Sequence, residues 1–417
     1  MLATKQGIDL TGFNGPVNLM SKDFINHKQD YYRWLRENAP VHRGRLGPIP
    51  LWFVSRYEDC NDILKSPKIL RNRSTATGKK GRFPIPLPKS VNMLIKSMIN
   101  EDDPEHRRLR TLVHKAFVPK RLAYLSDRIE NLTHELLDKA EKKNKEEGQI
   151  DLQKEYGLPI PVTVIAEMVG VSVDEVPEFA QYMTALTSGL NGFTVAKTMF
   201  WDIPKAIKFC QKLIERKRKN PGEDILTGLI EAEEDGERLS EDELIAMLFL
   251  LIVAGYETTV HLITNGVQTL LTHPDQLDRL RNDWSLIDSA VEEINRFNGP
   301  IHGTKLGYPT EDIELRGVII PKGKAIMPLL GAANFDPDMF EDPEVFDIGR
   351  EKNPHLGFGK GIHYCLGAPL ARMESRIAFK NLFERFPDLH MAVPMEELEI
   401  QRIPGWHRFT NLPVTLA

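Results

Sequence analysis

The sequence predicts a mainly α protein with small β-sheets, organised around one long central helix. Three observations carry that prediction. Most of the chain from Met20 to about His273 is patterned as helices joined by short loops. Strand-like pieces are confined to 51–55, 313–321 and 413–417. Finally, Ser240 and Glu243 form a capping box, and Pro274 marks the next stop. The roughly 33 residues between them would run about 50 Å as helix. Within that span, 244–254 is apolar on every side, which demands burial in the core of a large protein. Its 11 residues fall short of the ~20 that cross a bilayer.

The remaining elements are read from composition and punctuation. No internal repeat or long flexible linker divides the 417 residues, so 1–417 is expected to be a single domain. A hydrophobic fraction of 41% and a charged fraction of 27% describe an ordinary globular core and surface. The formal net charge of -5 gives no global attraction to nucleic acid or anionic membranes. Cys60, Cys210 and Cys365 are odd in number and far apart, which suits a reducing compartment. Residues 1–18 lack a basic flank followed by an apolar run, so a cytoplasmic location without a membrane anchor is expected. The proline-rich 82–89 cannot be regular helix and belongs to an irregular segment, 71–100.

The strongest chemical signal is Phe358-Gly359-Lys360-Gly361-Ile362-His363-Tyr364-Cys365-Leu366-Gly367, just before an amphipathic helix starting near Ala368. Glycines open backbone conformations closed to other residues and let a flat ligand approach. A cysteine at the positive end of a helix dipole favours thiolate over thiol. Taken alone, the loop also fits a buried structural cysteine in a glycine-rich turn. Zinc is disfavoured, because no second cysteine lies close and His363 has no further partners. The pattern Phe-x-x-Gly-x-x-x-Cys-x-Gly resembles the heme-binding signature of the cytochromes P450. That resemblance implies the P450 fold, heme b (iron protoporphyrin IX) as cofactor, and Cys365 as the thiolate ligand to its iron. It covers most of the chain in family order and is closest to the soluble bacterial type.

A second signal, Ala254-Gly255-Tyr256-Glu257-Thr258-Thr259, lies mid-way along the long helix. Glycine there costs about 1 kcal/mol relative to alanine, and an acid in an apolar helix costs more unless solvated or paired. Small Ala254 and Gly255 would leave room for a diatomic ligand, and Thr258 can bond back to the carbonyl of Ala254. A solvated polar kink is the alternative on this segment alone. The segment resembles the family's acid–alcohol motif, which implies that Thr258 hydrogen-bonds dioxygen while Glu257 relays protons from solvent.

Glu293 and Arg296 share a helix face, and such pairs are commonly surface charge. They match the family's Glu-x-x-Arg signature, with Arg350 in the third position, and the resemblance implies a buried structural network bracing the cysteine loop. Ala333-Asn334-Phe335-Asp336-Pro337 and Phe340-x-Asp342-Pro343 also match the family. Asp103 is a plausible N-cap, with Pro104 next. His106 and Arg110 on the following helix share a face, either simply solvated or, by resemblance, holding heme propionates together with His363. The expected arginine on the strand at 301–308 is missing, and Lys305 is its nearest substitute. The implied cofactor contacts are His106, Arg110, Ala254, Gly255, Phe358, Gly361, His363, Cys365 and Gly367.

By the same resemblance a substrate pocket would be walled by 71–100, 183–193, the long helix, 300–304 and 408–410. Leu87, Val91, Leu94, Leu250, Ile301 and Phe409 would line it, which suits a lipophilic small molecule. His302 would be either a polar contact or a packed strand histidine. Electrons would come from a ferredoxin or flavodoxin with its NAD(P)H-dependent reductase. Arg107, Arg108, Lys115, Lys360 and Arg372 would either steer that partner or be ordinary surface charge. The implied activity is monooxygenation, by hydroxylation or epoxidation. Peroxide-driven or rearrangement chemistry, and a non-catalytic heme sensor or carrier, are the competing classes.

Overall fold

The polar segment Val41–Leu46 is a strand, although its sequence reads as a break between helices. Only Val41 and Gly44 are buried in it, so it carries almost no apolar alternation. It pairs antiparallel with Ile49–Val54, from Val41 opposite Val54 to Leu46 opposite Ile49. Gly44 permits the pairing, because a Cβ there would run into the Phe53 ring and lie 2.6 Å from the Val17 carbonyl. Ile326–Pro328 extends the sheet in parallel, with Ile326 opposite Trp52. The computed structural model describes residues 7–78, 88–94, 96–117, 124–176, 178–179, 197–234 and 236–416.

These fall into two units. The first comprises Met1–Lys79, Thr133–Gly157 and Thr258–Ala417. Its core under the sheet is built from Leu19, Phe24, Tyr32, Leu35, Phe53 and Leu329. The expected strand at 313–321 is a hairpin, Ile313–Leu315 with Val318–Ile320, turned by Arg316 and Gly317 at φ 50° and 75°. The expected C-terminal strand is Pro413–Thr415, flanked by His390–Met391 and Ile150–Asp151.

The second unit, Lys80–Leu132 and Leu158–Glu257, is helical, with Glu105–Ala116, Pro159–Met168 and Ile203–Lys219 among its members. Residues 71–100 are less irregular than expected: they include helices Arg73–Thr77 and Lys89–Leu94 and a 3-10 turn at Met98–Asn100. Residues 82–87 lie outside the described residues. The helix at 105 begins with Pro104 at its N-cap, and the Asp103 carboxylate accepts from Arg107 at 2.9 Å instead of capping.

The long helix is Glu241–Thr272, 32 residues. The capping box forms in both directions: Ser240 N–H donates to Glu243 Oε2 at 2.8 Å, and Glu243 N–H to Ser240 Oγ at 3.4 Å. Pro274 opens the next helix, as expected. Burial is distributed otherwise than hydropathy suggests. The apolar stretch is half-exposed at Phe249, Leu250 and Leu251 and exposed at Ala254, whereas the more polar stretch from Thr259 to Leu270 is buried at every position. The helix is long and apolar enough to cross a membrane by length and composition, but 61% of its apolar window is buried in the protein.

Polar groups survive in the buried half because they bond. Asn265 Nδ2 donates to the carbonyls of Asn298 and His407, each at 2.9 Å. Asn298 Nδ2 returns bonds to Gln268 Oε1 at 2.9 Å and Thr269 Oγ1 at 2.8 Å. An Asn298→Ala variant strands those acceptors without water. It should lower unfolding stability by about 2–4 kcal/mol, read as a shift in urea midpoint at unchanged m.

Candidate active site

The cysteine loop closes on itself through the backbone. Gly359 N–H donates to Leu356 O at 2.8 Å, Tyr364 N–H to Gly361 O at 3.1 Å, and Cys365 N–H to Phe358 O at 2.9 Å. Gly359 and Gly361 hold φ of 71° and 68°. A Cβ at Gly361 would also overlap the Leu64 carbonyl, so this position needs glycine twice over. The helix Ala368–Arg385 follows directly, with Gly367 at its N-cap. Of the three cysteines, Cys60 and Cys210 are buried, and burial pushes the Cys210 thiol up to about 12. Cys365 is exposed at the helix start, the one setting of the three that favours a thiolate.

Two ionic clusters hold this loop. Glu293 and Arg296 are both fully buried, with Arg296 donating to the carboxylate through two bonds of 2.7 Å. Arg350 joins at 3.2 Å, Asn353 Nδ2 at 3.0 Å and the Asp347 N–H at 3.0 Å. Arg296 also donates to the carbonyls of Asn334, Pro343 and Val345. The neighbouring residue, Glu292, drew no attention in the sequence. It accepts from Arg372 at 2.6 and 2.9 Å and lies 3.0 Å from His355 Nε2. Burial pushes its carboxyl up, but Arg372 and His355 outweigh that and hold it at about 2. The Arg372 guanidinium also stacks over the Phe358 ring at 4.5 Å. No local signal marks Glu292, since its partners lie 63 and 80 positions away.

On the long helix, Leu250, Ala254 and Thr258 succeed one another at four-residue spacing and share a face. That face keeps accessible surface: Ala254 is exposed, and Leu250 and Thr258 are half-buried. Glu257 is buried at 7% exposure. Gly255 has a different role from the one expected. Its missing Cβ would lie 2.5 Å from Ile165 Cδ1, so it lets the Pro159–Met168 helix pack close and does not widen the Ala254 face. His106 is buried and Arg110 half-buried one turn later; burial, then the Arg110 charge, lowers the imidazole's pKa.

A family model described as Cytochrome P450 matches residues 12–399. The chain belongs to the cytochrome P450 family. It is 41% identical over 379 residues to cytochrome P450 107B1 of Saccharopolyspora erythraea, covering 90% of this chain and 91% of that one. Its fold is similar to the bacillaene polyketide synthase cytochrome P450 PksS of Bacillus subtilis, at TM-score 0.87 and 34% identity over 96% and 99% of the two chains. It is also similar to P450BioI solved with an acyl carrier protein bearing hexadec-9Z-enoic acid, at TM-score 0.84 and 32% identity over 95% and 99%. Membership makes the protein a monooxygenase, an oxidoreductase, with heme as its cofactor and redox partners as its source of electrons.

The residues of this P450 fit a heme. Cys365 is exposed between helix start and glycine loop, and beyond its own chain neighbours Gly367 has no atom within 4 Å of where a Cβ would stand. A single exposed cysteine sulfur beside a glycine loop is a donor set that suits an iron held by a macrocycle.

The structure decides between alternatives for some candidate residues and corrects others. His302 is buried and stacks on His407 at 5.0 Å, making it a packed histidine. The expected strand at 300–304 is only an isolated bridge, Ile301 with Trp406, and the segment is tied to the 405–407 loop by His302 and Gly303 N–H bonds to Gly405 O and by His407 N–H to Pro300 O. Lys28 seals this layer from behind, donating to Trp406 O at 2.9 Å, and burial pushes its ammonium down to about 7. Phe409 is buried at 1% exposure and packs edge-on against His407, so it supports the wall and does not line it. Val91, Leu94, Leu250 and Ile301 keep accessible surface, while Leu87 and the expected wall at 183–193 lie outside the described residues. Lys305 is exposed, and Arg71 donates to its carbonyl. Of the expected cationic patch, Arg107 pairs with Asp103, Arg108 with Glu105 and Glu243, Lys115 donates to Glu233 O, and Arg372 belongs to the Glu292 cluster. Intrachain partners therefore take most of those charges.

Replacing Arg296 by methionine leaves the buried Glu293 short of its main donor. The variant should lose about 3–5 kcal/mol of unfolding stability and most of its heme on purification, measured by denaturant titration and heme content.

Proposed function

We propose that this P450 inserts one oxygen atom of dioxygen into a lipophilic small organic molecule, by hydroxylation or epoxidation. Two electrons and two protons are consumed, and the second oxygen atom leaves as water. The electrons come from a ferredoxin or flavodoxin with its NAD(P)H-dependent reductase, and the protein works in the cytoplasm as a single domain. The observation that carries this reading is Cys365, exposed at the start of a helix in a loop shaped by two positive-φ glycines. In this reading Cys365 ligates the iron of heme b. The thiolate-bound heme supplies O–O bond cleavage, helped by electron density from sulfur.

The chain's own groups do the rest. Backbone bonds from Gly359, Tyr364 and Cys365 fix the loop, and the two glutamate clusters keep it from relaxing. His106, Arg110 and His363 hold the propionates, and Phe358, Gly361 and Gly367 shape the bed of the ring. Ala254 keeps the helix face low enough for dioxygen to sit beside it. Thr258 holds a proton toward dioxygen through its hydroxyl, and Glu257, buried one residue earlier, passes protons to that position. Val91, Leu94, Leu250 and Ile301 offer apolar surface to the substrate, with Leu87 as a further candidate. The similarity to a P450 solved with an acyl carrier protein adds carrier-borne chains to free lipophilic compounds as substrates to screen.

Reduced protein exposed to carbon monoxide should show a strongly red-shifted Soret band, and Cys365→Ser should lose it while remaining folded. A wild-type band like that of a histidine-ligated globin would overturn the assignment. Thr258→Ala should retain heme but divert reduced oxygen to peroxide. Product formed per NAD(P)H should fall by about tenfold or more, and unchanged coupling would remove Thr258 from the mechanism.

A further inference from the structure

The helix Ile203–Lys219 carries seven lysines and arginines and one glutamate, in a chain whose formal net charge is -5. Three of its four C-terminal cations are used within the chain: Arg216 pairs with Glu175 at 2.8 Å, Lys217 with Asp224 at 2.6 Å and Arg218 with Glu241 at 2.6 Å. Lys205, Lys208 and Lys212 are not. They succeed one another at three- and four-residue spacing on one exposed face, and among the described residues none has an acidic partner. Neighbouring like charges at this spacing repel. Exposed Glu215 ends the stripe one turn after Lys212.

At the other end, the preceding turn Thr198–Asp202 exposes Phe200 and Trp201, both at 64%. These are the two most exposed large hydrophobic residues among those described. Lys197 beside them approaches Asp202 only at 3.8 Å. A cationic ridge ending in two bare aromatic rings is the complement of a partner that offers acidic side chains and, next to them, an apolar group.

A bilayer fits less well. The apolar side of this helix, Ala206, Ile207, Cys210, Leu213 and Ile214, is buried in the protein, so the helix has no lipid-facing stripe to insert. Only the aromatic pair could enter lipid. A rigid acidic surface matches the straight lysine row better.

We propose that the face formed by Lys205, Lys208, Lys212, Phe200 and Trp201 docks an acidic carrier protein, with the aromatic pair receiving the acyl chain that it bears. The proposal rests on the monooxygenase reading, since the carried chain would be the substrate.

The test uses the full-length, heme-loaded protein and a fluorescently labelled acyl carrier protein, with and without a hexadecanoyl chain. Anisotropy titration should show binding that weakens with salt. Lys205→Glu/Lys208→Glu/Lys212→Glu should lower affinity by about tenfold or more. Trp201→Ala should weaken the acylated form more than the unloaded one. The carbon monoxide spectrum and ferredoxin-supported oxidation of a free substrate should be unchanged in all variants. If the charge reversal unfolds the protein, the neutral Lys205→Gln/Lys208→Gln/Lys212→Gln variant with the salt titration provides the same readout. Undiminished binding in the variants, or none by the wild type, overturns the proposal. So does binding to phosphatidylglycerol vesicles through these lysines without carrier protein binding, or lost ferredoxin-supported reduction as the sole effect. An abnormal carbon monoxide spectrum in the wild type would fault the monooxygenase reading separately.

Discussion

Arg296 and Glu293 are withdrawn from water completely, and a buried ion pair persists only if every remaining donor and acceptor is bonded. Arg296 meets that condition by reaching the carbonyls of Asn334, Pro343 and Val345, while Glu293 takes up Arg350, Asn353 and the Asp347 N–H. Residues 334–353 contain little regular structure, and these bonds give them a defined path. The chain leaves that path only a few residues before the cysteine loop. The ionic cluster therefore fixes the chain that leads into the Cys365 loop.

Glu292 performs the matching task on the other side of the loop. Consecutive residues on a helix project about 100° apart, so Glu292 and Glu293 reach different neighbours. One anchors the approach to the cysteine loop; the other anchors Arg372 in the helix that leaves it, together with His355 and, through Arg372, the Phe358 ring. The loop is held at entry, middle and exit by two adjacent carboxylates on one helix. That rigidity is what a thiolate ligand needs if its sulfur is to keep one position and one set of N–H neighbours.

The long helix divides its labour along its length. From Thr259 to Leu270 it is a fully buried strut, polar groups included, tied to Asn298 and His407 by hydrogen bonds from side-chain amides. Before that it carries an accessible face at Leu250, Ala254 and Thr258. Hydropathy alone points to the reverse arrangement, because it scores side chains and not their bonds. Asn265 and Asn298 become core residues only through each other, 33 positions apart.

The sequence by itself determined what is local. Ten consecutive residues hold the cysteine, its glycines and the start of its helix, so turn chemistry and thiolate chemistry are legible together. The capping box at Ser240 and the stop at Pro274 are legible for the same reason, whereas the strand expected at 313–321 is in fact a hairpin. Tertiary structure alone decided the rest: that Glu292 is pinned by His355 and Arg372, that Val41–Leu46 is a strand, that Gly255 serves Ile165, and that His302 and Phe409 pack inward. Val41–Leu46, whose partner strand follows directly, is the exception that hydropathy pattern hides; the others depend on a partner distant in the chain. A residue's burial and charge environment are set by that partner, and one-dimensional spacing carries no trace of it.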